Sequence, residues 1–352
     1  MQNSNTHLVF LTPGFPECEE DSTAIPALQV YLKALVTFAP YLKITIITFQ
    51  YPFTKQKYYW NGILVVPLNG ENSKFKKIII WKKAYSLLKK MHFQQPITAL
   101  HSFWIGECSF IGELFSKKYN IKHIVTAMGQ DVYKKNKYAY HLKKSNATLV
   151  TLSHHHQTAL FTNHTINSQI IPWVLDENNF PNLKENKIDI LGVGSLTSIK
   201  NYTLFVEIIK NLVEIKPNIK VEIIGNGTEY AKINQLIETY NLKNTIQLKG
   251  KLSRKKVLEK MSISNILLHT SSYESFGFVF LEALYSGMKL VSFDIGFSTA
   301  IPEWKIGNSK ETLTMNCLSF LDQKSRVKQR NRIFNLESVL IDYLTLYHGE
   351  IN

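Results

Sequence analysis

The stretch over residues 264–303 constrains the fold more than any other part of the chain. A short apolar run at 266–268 has the length of a buried strand, and small hydroxyl residues follow it. Apolar residues then recur at helical spacing over 276–284, Gly287 provides a stop, and a second apolar run follows at 290–293. The order strand, loop, helix and strand is that of a βαβ unit, so the stretch predicts an α/β fold with a parallel sheet.

The loop between the first strand and the helix has the residues of a ligand site. Parallel sheets bind ligands outside the carboxyl ends of their strands, which is where this loop lies. The unpaired N–H groups of a helix start are able to hold a phosphate at Ser275, Phe276, Gly277 and Phe278. Glu274 and Glu282 lie about 12 Å apart along the chain if all of it is helical, so they are able to grip two hydroxyl-bearing parts of one ligand. The alternative is a pair of solvated acids.

The segment Glu274-Ser-Phe-Gly-Phe-Val-Phe-Leu-Glu282-Ala resembles the Glu-x7-Glu motif of the retaining family-4 (group 1) glycosyltransferases. Asp294-Ile-Gly296 and Pro302-Glu303 are similar to the next loop of that family, although Phe297 stands where its second glycine is expected. The resemblance implies the GT-B fold, in which two Rossmann-like parallel-sheet domains face a cleft. It further implies that Glu282 holds the ribose of a nucleotide sugar and that Glu274 holds the transferred sugar.

Other matches to this family lie between residues 188 and 253. The loop after Gly194 usually carries an arginine and a lysine that hold the donor diphosphate; Lys200 matches, and Ser195 stands at the expected arginine. A lysine lacks the guanidinium fork, so a bidentate phosphate contact is lost. The turn Gly225-Asn-Gly227 resembles the Gly-x-Gly turn of the family near the nucleotide, and we expect the backbone at Lys251 to contact the base.

The first half of the chain departs more from the family. Gly14 matches in the first loop, but the acidic residues at 17–21 replace the paired glycines, which either alters acceptor choice or marks a solvated loop. Gly129 and Asp131 match the cleft sequence Thr-x-His-Gly-x-Asp, whereas Met128 replaces its histidine. His101, at the end of a neighbouring predicted strand, is a candidate substitute for that histidine near the transferred sugar.

Seven lysines and no acid lie between residues 74 and 90, at positions 74, 76, 77, 82, 83, 89 and 90. Ile78, Trp81, Tyr85 and Leu88 recur at helical spacing, so the sequence predicts a basic amphipathic helix. Such a helix is able to lie on an anionic membrane, where each lysine near the surface contributes about 1 kcal/mol. An outer helix of the fold with a solvated lysine face is the alternative.

A net charge of +14 admits nucleic acid, anionic membranes and phosphate-bearing substrates as partners. No nucleic-acid-binding motif is visible, so we expect no nucleic-acid partner.

The odd number of distant cysteines (18, 108 and 317) suggests neither a disulfide framework nor a zinc site, and the consecutive His154–156 point in different directions. With no signal-peptide pattern and no apolar run near the ~20 residues of a membrane span, we expect a cytoplasmic protein, with the inner face of the membrane left open as a second location.

We expect an N-terminal acceptor-binding domain over residues 1–172 and a linker over 173–187. A donor-binding domain over 188–335 follows, with its last strand at 316–321, and a terminal helix over 336–352 crosses back to the first domain. The predicted strands of the first domain lie at 7–11, 44–49, 63–66, 97–101, 122–126 and 147–152.

The resemblance implies retaining transfer of a sugar from a UDP- or GDP-type donor to a saccharide or lipid-linked acceptor, in cell-surface polysaccharide assembly. No cofactor and no metal are expected, so Lys200, a helix dipole and backbone N–H groups would meet the charge of the leaving group. Glu274, Lys200 and His101 are the candidate catalytic residues, and none is assigned as a nucleophile. Two alternatives stay open: a nucleotide-sugar epimerase on the same fold, and an inactive basic binding protein, which would fit Met128 and Ser195.

Overall fold

The computed structural model describes residues 6–22, 24–323 and 328–348 of the chain. The chain divides into two compact units, of which the first runs to Val174 and resumes at Phe334, and the second spans Leu175–Ile333. In each unit the described residues form one mainly parallel sheet covered by helices, so the predicted α/β class with two parallel sheets is confirmed.

The first unit contains an eight-stranded sheet within its described residues, in the order β3-β4-β2-β1-β5-β6-β7-β8. Its strands are β1 His7–Gly14, β2 Lys43–Tyr51, β3 Tyr58–Trp60, β4 Ile63–Pro67, β5 Ala99–Phe103, β6 Lys122–Thr126, β7 Thr148–Thr151 and β8 Gln169–Ile170. Its helices before the second unit are α1 Pro26–Phe38, α2 Lys77–Gln94, α3 Glu107–Tyr119, α4 Ala139–Leu142 and α5 His154–His164. Each of the six predicted strands overlaps one of these strands.

Strand β3 was not predicted, although the sequence has a signal for it. It pairs antiparallel with β4 through a two-residue connection, Asn61 and Gly62, which both have positive φ. An Asn-Gly pair in such a turn favours a hairpin because its backbone twist matches that of the strands. The apolar run before it is too short to be recognised as a strand by its periodicity alone.

The second unit contains a six-stranded sheet within its described residues, parallel throughout, in the order β11-β10-β9-β12-β13-β14. Its strands are β9 Ile188–Val193, β10 Val221–Ile224, β11 Ile246–Leu248, β12 Ser264–His269, β13 Lys289–Ser292 and β14 Trp304–Ile306. Its helices are α6 Tyr202–Ile215, α7 Tyr230–Thr239, α8 Arg254–Ser262, α9 Phe278–Tyr285 and α10 Lys310–Leu321, and the chain ends in the first unit with α11 Leu336–His348.

The predicted last strand at 316–321 is wrong, because these residues form the second half of α10. Ser309 caps the helix by accepting a hydrogen bond from the backbone N–H of Thr312, and the apolar residues Leu313, Cys317 and Phe320 bury one helical face. A short apolar run such as this one is ambiguous between strand and helix. Strand β14 takes the edge of the sheet instead.

The helix predicted in the lysine-rich stretch is present as α2, and Trp81, Tyr85 and Leu88 of its predicted apolar face lie on the core side, whereas Ile78 does not. Its buried residues are Ile80, Ala84 and Leu88, which pack in the core between α2, α3 and the sheet. Ile78, expected on the buried face, is 64% exposed, and Ile79 is 54% exposed. Among the described residues, no helix combines the length and apolar character needed to cross a membrane.

Candidate functional site

The loops at the carboxyl edge of the second sheet are joined through their backbones. Gly194 donates its N–H to the carbonyl of Ile224, and Leu196 donates to that of Asn226, at 3.0 Å in both cases. A Cβ added to Gly225 would lie 1.8 Å from the carbonyl oxygen of Gly194, so only glycine allows this approach. The predicted Gly-x-Gly turn therefore supports the loop after β9 directly.

Hydroxyl groups connect the loop after β12 to the same loop. Thr270 donates its hydroxyl to the carbonyls of Lys200 and Asn201 at 3.1 and 3.0 Å. Ser271 and Ser272 both donate to the carbonyl of Ile199, through their hydroxyls and, for Ser272, also through its backbone N–H. These small polar residues at the end of β12 thus place Lys200 beside the loop that carries Glu274.

Lys200 and Glu274 form an ion pair through Nζ and Oε1. The same carboxylate oxygen lies 2.7 Å from Nε2 of His269, the last residue of β12, which is 3% exposed. The His269 ring packs edge-to-face on Phe280, with ring centroids 4.9 Å apart. The structure therefore brings two of the predicted catalytic residues together and adds His269, which was not predicted.

The electrostatics of this cluster keep Glu274 ionised. Burial by itself would raise the pKa of Glu274, but the hydrogen bond from His269 and the ammonium of Lys200 lower it to about 2. Burial lowers the pKa of His269, which favours a neutral ring that donates its Nε2–H to the carboxylate. Glu274 is therefore a fixed, charged hydrogen-bond acceptor with one oxygen already engaged.

Glu282 lies one turn into α9 and is only 8% exposed. Its Oε1 forms an ion pair at 3.0 Å with Nη2 of Arg254, the first residue of α8, whose guanidinium lies 5.1 Å from the ring centre of Phe278. Burial raises the pKa of Glu282, and the charge of Arg254 opposes that rise. Arg254 was also missed from the sequence, because its partner is 28 residues away and on another helix.

The start of α9 depends on two glycines. Gly277 has φ +81°, and a Cβ there would lie 2.4 Å from the ring of Phe280. Gly296 approaches the carbonyl of Phe276 so closely that a Cβ would lie 2.3 Å away. Phe297, at the position of the expected second glycine, donates its N–H to that carbonyl and packs its ring 4.8 Å from Phe276. The Phe276 side chain is therefore part of the core, and only its backbone faces the site loop.

The remaining donor-site candidates are less closely placed. Ser195 and Lys251 are exposed on the loops after β9 and β11, and Ser275 and Phe278 are half-buried on either side of Gly277. Gly14 lies at the end of β1 in the first unit, where Tyr51 packs against it.

His101 does not have the environment of a catalytic residue, and this prediction is wrong. The ring is fully buried, with Nδ1 at 2.7 Å from the Tyr347 hydroxyl and Nε2 at 2.8 Å from the Thr126 hydroxyl. It stacks on Phe103 with ring centroids 4.1 Å apart, and burial lowers its pKa well below the usual range. His101 is a hydrogen-bonded core histidine whose two nitrogens are both engaged.

Asp131 and Gly129 stabilise their own loop. The Asp131 carboxylate accepts backbone N–H bonds from Ile105 at 2.7 Å, from Gly129 at 2.6 Å and from Met128 at 3.2 Å. His156 donates from Nε2 to the Gly129 carbonyl at 3.0 Å. This arrangement explains why glycine and aspartate occur here without requiring that either touch a ligand. Over the described part of the chain, no group of three His, Cys, Asp or Glu side chains is placed to hold a metal ion.

The first unit also has a cavity of about 500 Å³ at the carboxyl edge of its sheet, among the loops after β1, β2 and β5. Trp104 lines it with φ +68°, a strained conformation for a bulky side chain that often marks a functional position. Tyr138 and the lysines at 74, 77 and 135 also line it. Glu107 and Asp131 line it as well, and Lys77 pairs with Glu107. The aromatic rings beside the remaining lysines, Lys74 and Lys135, suit a saccharide that carries negative charge.

Comparison with known proteins supports the interpretation of the second unit. Residues 175–305 match the sequence model of the family described as "Glycosyl transferases group 1". The chain is 27% identical over 182 residues, 52% of its length, to the poly(glycerol-phosphate) alpha-glucosyltransferase of Bacillus subtilis, and covers 26% of that protein. It is 32% identical over 111 residues, 32% of its length, to an amylovoran biosynthesis glycosyltransferase of Erwinia amylovora, and covers 30% of it. The chain thus spans about a quarter to a third of these curated relatives.

Solved structures resemble nearly the whole chain. Sucrose-phosphate synthase from Thermosynechococcus elongatus superposes with a TM-score of 0.73 at 15% identity, covering 97% of this chain and 98% of that one. An Anabaena protein solved with UDP and glucose superposes with a TM-score of 0.68 at 13% identity, covering 90% of each chain. These neighbours have the GT-B fold, so the predicted fold is confirmed. The resemblance to the group 1 glycosyltransferases is likewise confirmed.

The depressed pKa of Glu274 predicts how stability changes in acid. A carboxyl whose pKa falls from 4.5 to about 2 on folding stabilises the fold above pH 4.5, and this contribution is lost as the pH falls. In urea unfolding, the free-energy difference between wild type and Glu274→Gln should shrink by about 1 kcal/mol from pH 5 to pH 3.5.

Glu185→Gln, at an exposed glutamate of the same unit, is the matched control and should show little such change. If the difference for Glu274→Gln stays constant over this pH range, the carboxylate is not held by Lys200 and His269 in solution.

Proposed function

We propose that this protein transfers a sugar from a UDP- or GDP-type nucleotide sugar to a saccharide or lipid-linked acceptor, with retention of the anomeric configuration. The observation that carries the proposal is the cluster of Lys200, Glu274 and His269 at the carboxyl edge of the second sheet, inside the segment that matches the group 1 glycosyl transferases. Parallel sheets bind nucleotides at this edge.

The donor would be held by the two glutamates and the loops around them. Glu282 would accept hydrogen bonds from the ribose hydroxyls and Glu274 from the hydroxyls of the transferred sugar. The diphosphate would lie near Lys200 and the backbone N–H groups at the start of α9, where the helix dipole favours negative charge. The loop Gly194-Ser195 would approach the phosphates through its backbone, because Ser195 lacks the charge of the family's arginine.

In the reaction, the bond between the anomeric carbon and the diphosphate oxygen breaks, and a bond from the acceptor oxygen to that carbon forms. The proton of the acceptor hydroxyl passes to the leaving diphosphate. Lys200 would stabilise the charge that develops on that leaving group, without a metal ion. Glu274 is assigned no nucleophilic role: Lys200 and His269 lower its pKa through Oε1, and its other oxygen would accept hydrogen bonds from the sugar hydroxyls.

We place the acceptor in the cavity of the first unit that Trp104 lines. A sugar ring is able to pack on the indole, and Lys74 and Lys135 would meet a phosphate on the acceptor. An acceptor for cell-surface polysaccharide assembly fits this chemistry. The named relatives include one protein of amylovoran biosynthesis and one that acts on poly(glycerol phosphate).

The same unit presents a surface suited to an anionic membrane on the cytoplasmic face. Phe75 is 96% exposed, and with Ile78 and Ile79 it forms an apolar patch at the start of α2, next to Lys74 and Lys77 of the cavity wall. The exposed lysines 82, 83, 89 and 90 continue along the helix. Apolar residues that insert and lysines that attract anionic lipid are the two features of an interfacial helix.

The two glutamates should separate in binding experiments. Glu282→Gln should weaken binding of both nucleoside diphosphate and nucleotide sugar, because both contain ribose, by roughly the 1.5–3 kcal/mol of a charged hydrogen bond. Glu274→Gln should leave nucleoside diphosphate affinity unchanged or improve it, since Lys200 loses its internal partner, while transfer slows sharply. Calorimetric titration with UDP and GDP, together with turnover on a panel of UDP- and GDP-sugars, measures both.

Glu214→Gln, an exposed glutamate on α6, is the control and should match wild type in both assays. Equal loss of nucleotide affinity in both site variants, or none in either, would refute the division of roles. Interconversion of the donor sugar without an acceptor would instead favour an epimerase.

Anionic vesicles should bind the protein through α2. Wild type should sediment with vesicles containing phosphatidylglycerol at low salt but not with phosphatidylcholine alone, and should dissociate as salt screens the charges. Substituting Glu for Lys82, Lys83, Lys89 and Lys90 should abolish sedimentation, and Ser at Phe75, Ile78 and Ile79 should weaken it. Lys76 and Lys77 are left intact because they pair with Glu71 and Glu107.

The matched control reverses four exposed lysines of the second unit, Lys210, Lys220, Lys232 and Lys243, with the same change in net charge. If both quadruple variants lose vesicle binding equally, only the overall charge matters and α2 has no special role.

A further inference from the structure

A second concentration of positive charge lies in the second unit, outside the proposed donor site. A cavity of about 460 Å³ there has five lysines and one glutamate among its lining residues: Lys184, Lys187, Lys249, Lys256, Lys260 and Glu259. None of the residues assigned above to the donor or to the reaction lines this cavity. The proposed transfer therefore leaves it unexplained.

The backbone fixes the walls of this lysine cavity. Lys184 donates its N–H to the carbonyl of Ser262 at 3.3 Å, and Lys187 donates to that of Ile263 at 2.7 Å. These bonds hold the segment before β9 against the end of α8, which carries Lys256 and Lys260. Four of the five lysines thus converge from two elements whose spacing is set by hydrogen bonds, and Lys249 joins them from the loop after β11.

The charge in the cavity is only partly neutralised by the protein. Glu222, 8% exposed, lies 2.9 Å from Nζ of Lys260 and 3.5 Å from Nζ of Lys249. Glu259 adds a second carboxylate, so five ammonium groups face two acids.

Within the described residues, Lys184, Lys187 and Lys256 have no ion pair. Behind the wall, half-buried Lys328 adds positive charge, with its ammonium donating to the carbonyls of Ser262 and Ser264. An anionic ligand would neutralise the positive charge that the protein leaves unpaired.

The lining selects the chemistry of that anion. Lysines act as point charges that suit phosphate without requiring a fixed geometry. No aromatic side chain lines the cavity, so it offers no surface on which a nucleic-acid base could stack. With a water molecule occupying about 30 Å³ of liquid, the cavity has room for roughly fifteen waters and so for more than one phosphate group. We propose that the lysine cavity is a binding site for a chain of linked phosphate groups, separate from the donor site.

Calorimetric titration of the full chain with inorganic tripolyphosphate tests this site. Wild type should bind tripolyphosphate more tightly than orthophosphate, and binding should weaken as salt rises. Substituting Gln for Lys184, Lys187 and Lys256, which leaves the pairs of Glu222 intact, should lower tripolyphosphate affinity by about tenfold or more. An unchanged unfolding midpoint shows that this triple variant is folded.

Two controls locate the binding. Gln at Lys210, Lys232 and Lys243, exposed lysines of the same unit, should leave tripolyphosphate affinity unchanged. Lys200→Ala should also leave it unchanged, although this variant should weaken nucleoside diphosphate binding. The proposal is overturned if the triple variant binds as wild type does, or if only Lys200→Ala loses affinity. It is also overturned if orthophosphate binds as tightly as tripolyphosphate, or if a thymidine oligonucleotide of equal charge binds more tightly.

Discussion

The ion pair between Lys200 and Glu274 depends on the contacts between two loops, and the proposed donor site depends on that pair. Lys200 follows β9 and Glu274 follows β12, so the two side chains meet only because hydroxyls after β12 bond to carbonyls after β9. Strands β9 and β12 are neighbours in the sheet, which places their carboxyl ends side by side. Fold topology brings the loops close, and Thr270, Ser271 and Ser272 set their spacing.

Close backbone packing around this pair explains the pattern of glycines better than ligand contact alone does. Gly225 and Gly227 are required by the carbonyls of Gly194 and Leu196, and Gly296 by the carbonyl of Phe276. Position 297, by contrast, does not require glycine. The ring of Phe297 has room there because it packs in a core formed by Phe276, Phe280 and Trp304. Such glycines pre-organise the loops, so less ordering remains to be done when a ligand binds.

Periodicity and turn residues were sufficient to predict most of the strands of the first sheet, whereas the loops of the proposed donor site were named through the family resemblance. They failed where a residue's environment is made by distant parts of the chain. His101 was expected near the sugar because it ends a strand, yet Tyr347, 246 residues later, closes over it. Arg254 was missed for the same reason, since its partner Glu282 lies on another helix. His269 was missed although Glu274 follows it by five residues, because only the folded loop brings the two side chains together. The apolar face of α2 was predicted correctly except at Ile78, because the first turn of the helix carries apolar residues on both sides.

Both glutamates of the proposed donor site have partners within the protein: the Lys200 ammonium and the His269 ring for Glu274, and the Arg254 guanidinium for Glu282. A buried carboxylate left without a partner would be strongly destabilising, so these pairs allow the site to exist empty. Ligand hydroxyls must then share or replace hydrogen bonds that the protein already makes, and the net gain per contact is small. This exchange of hydrogen bonds would make the proposed site selective for ligands with hydroxyl groups. A ligand that displaces a cation from a carboxylate without supplying hydroxyls would leave that carboxylate unpaired. The Arg254 guanidinium is held over the Phe278 ring, whereas Lys200 reaches Glu274 through a flexible stem, so the Glu274 end of the proposed site is the part better able to rearrange.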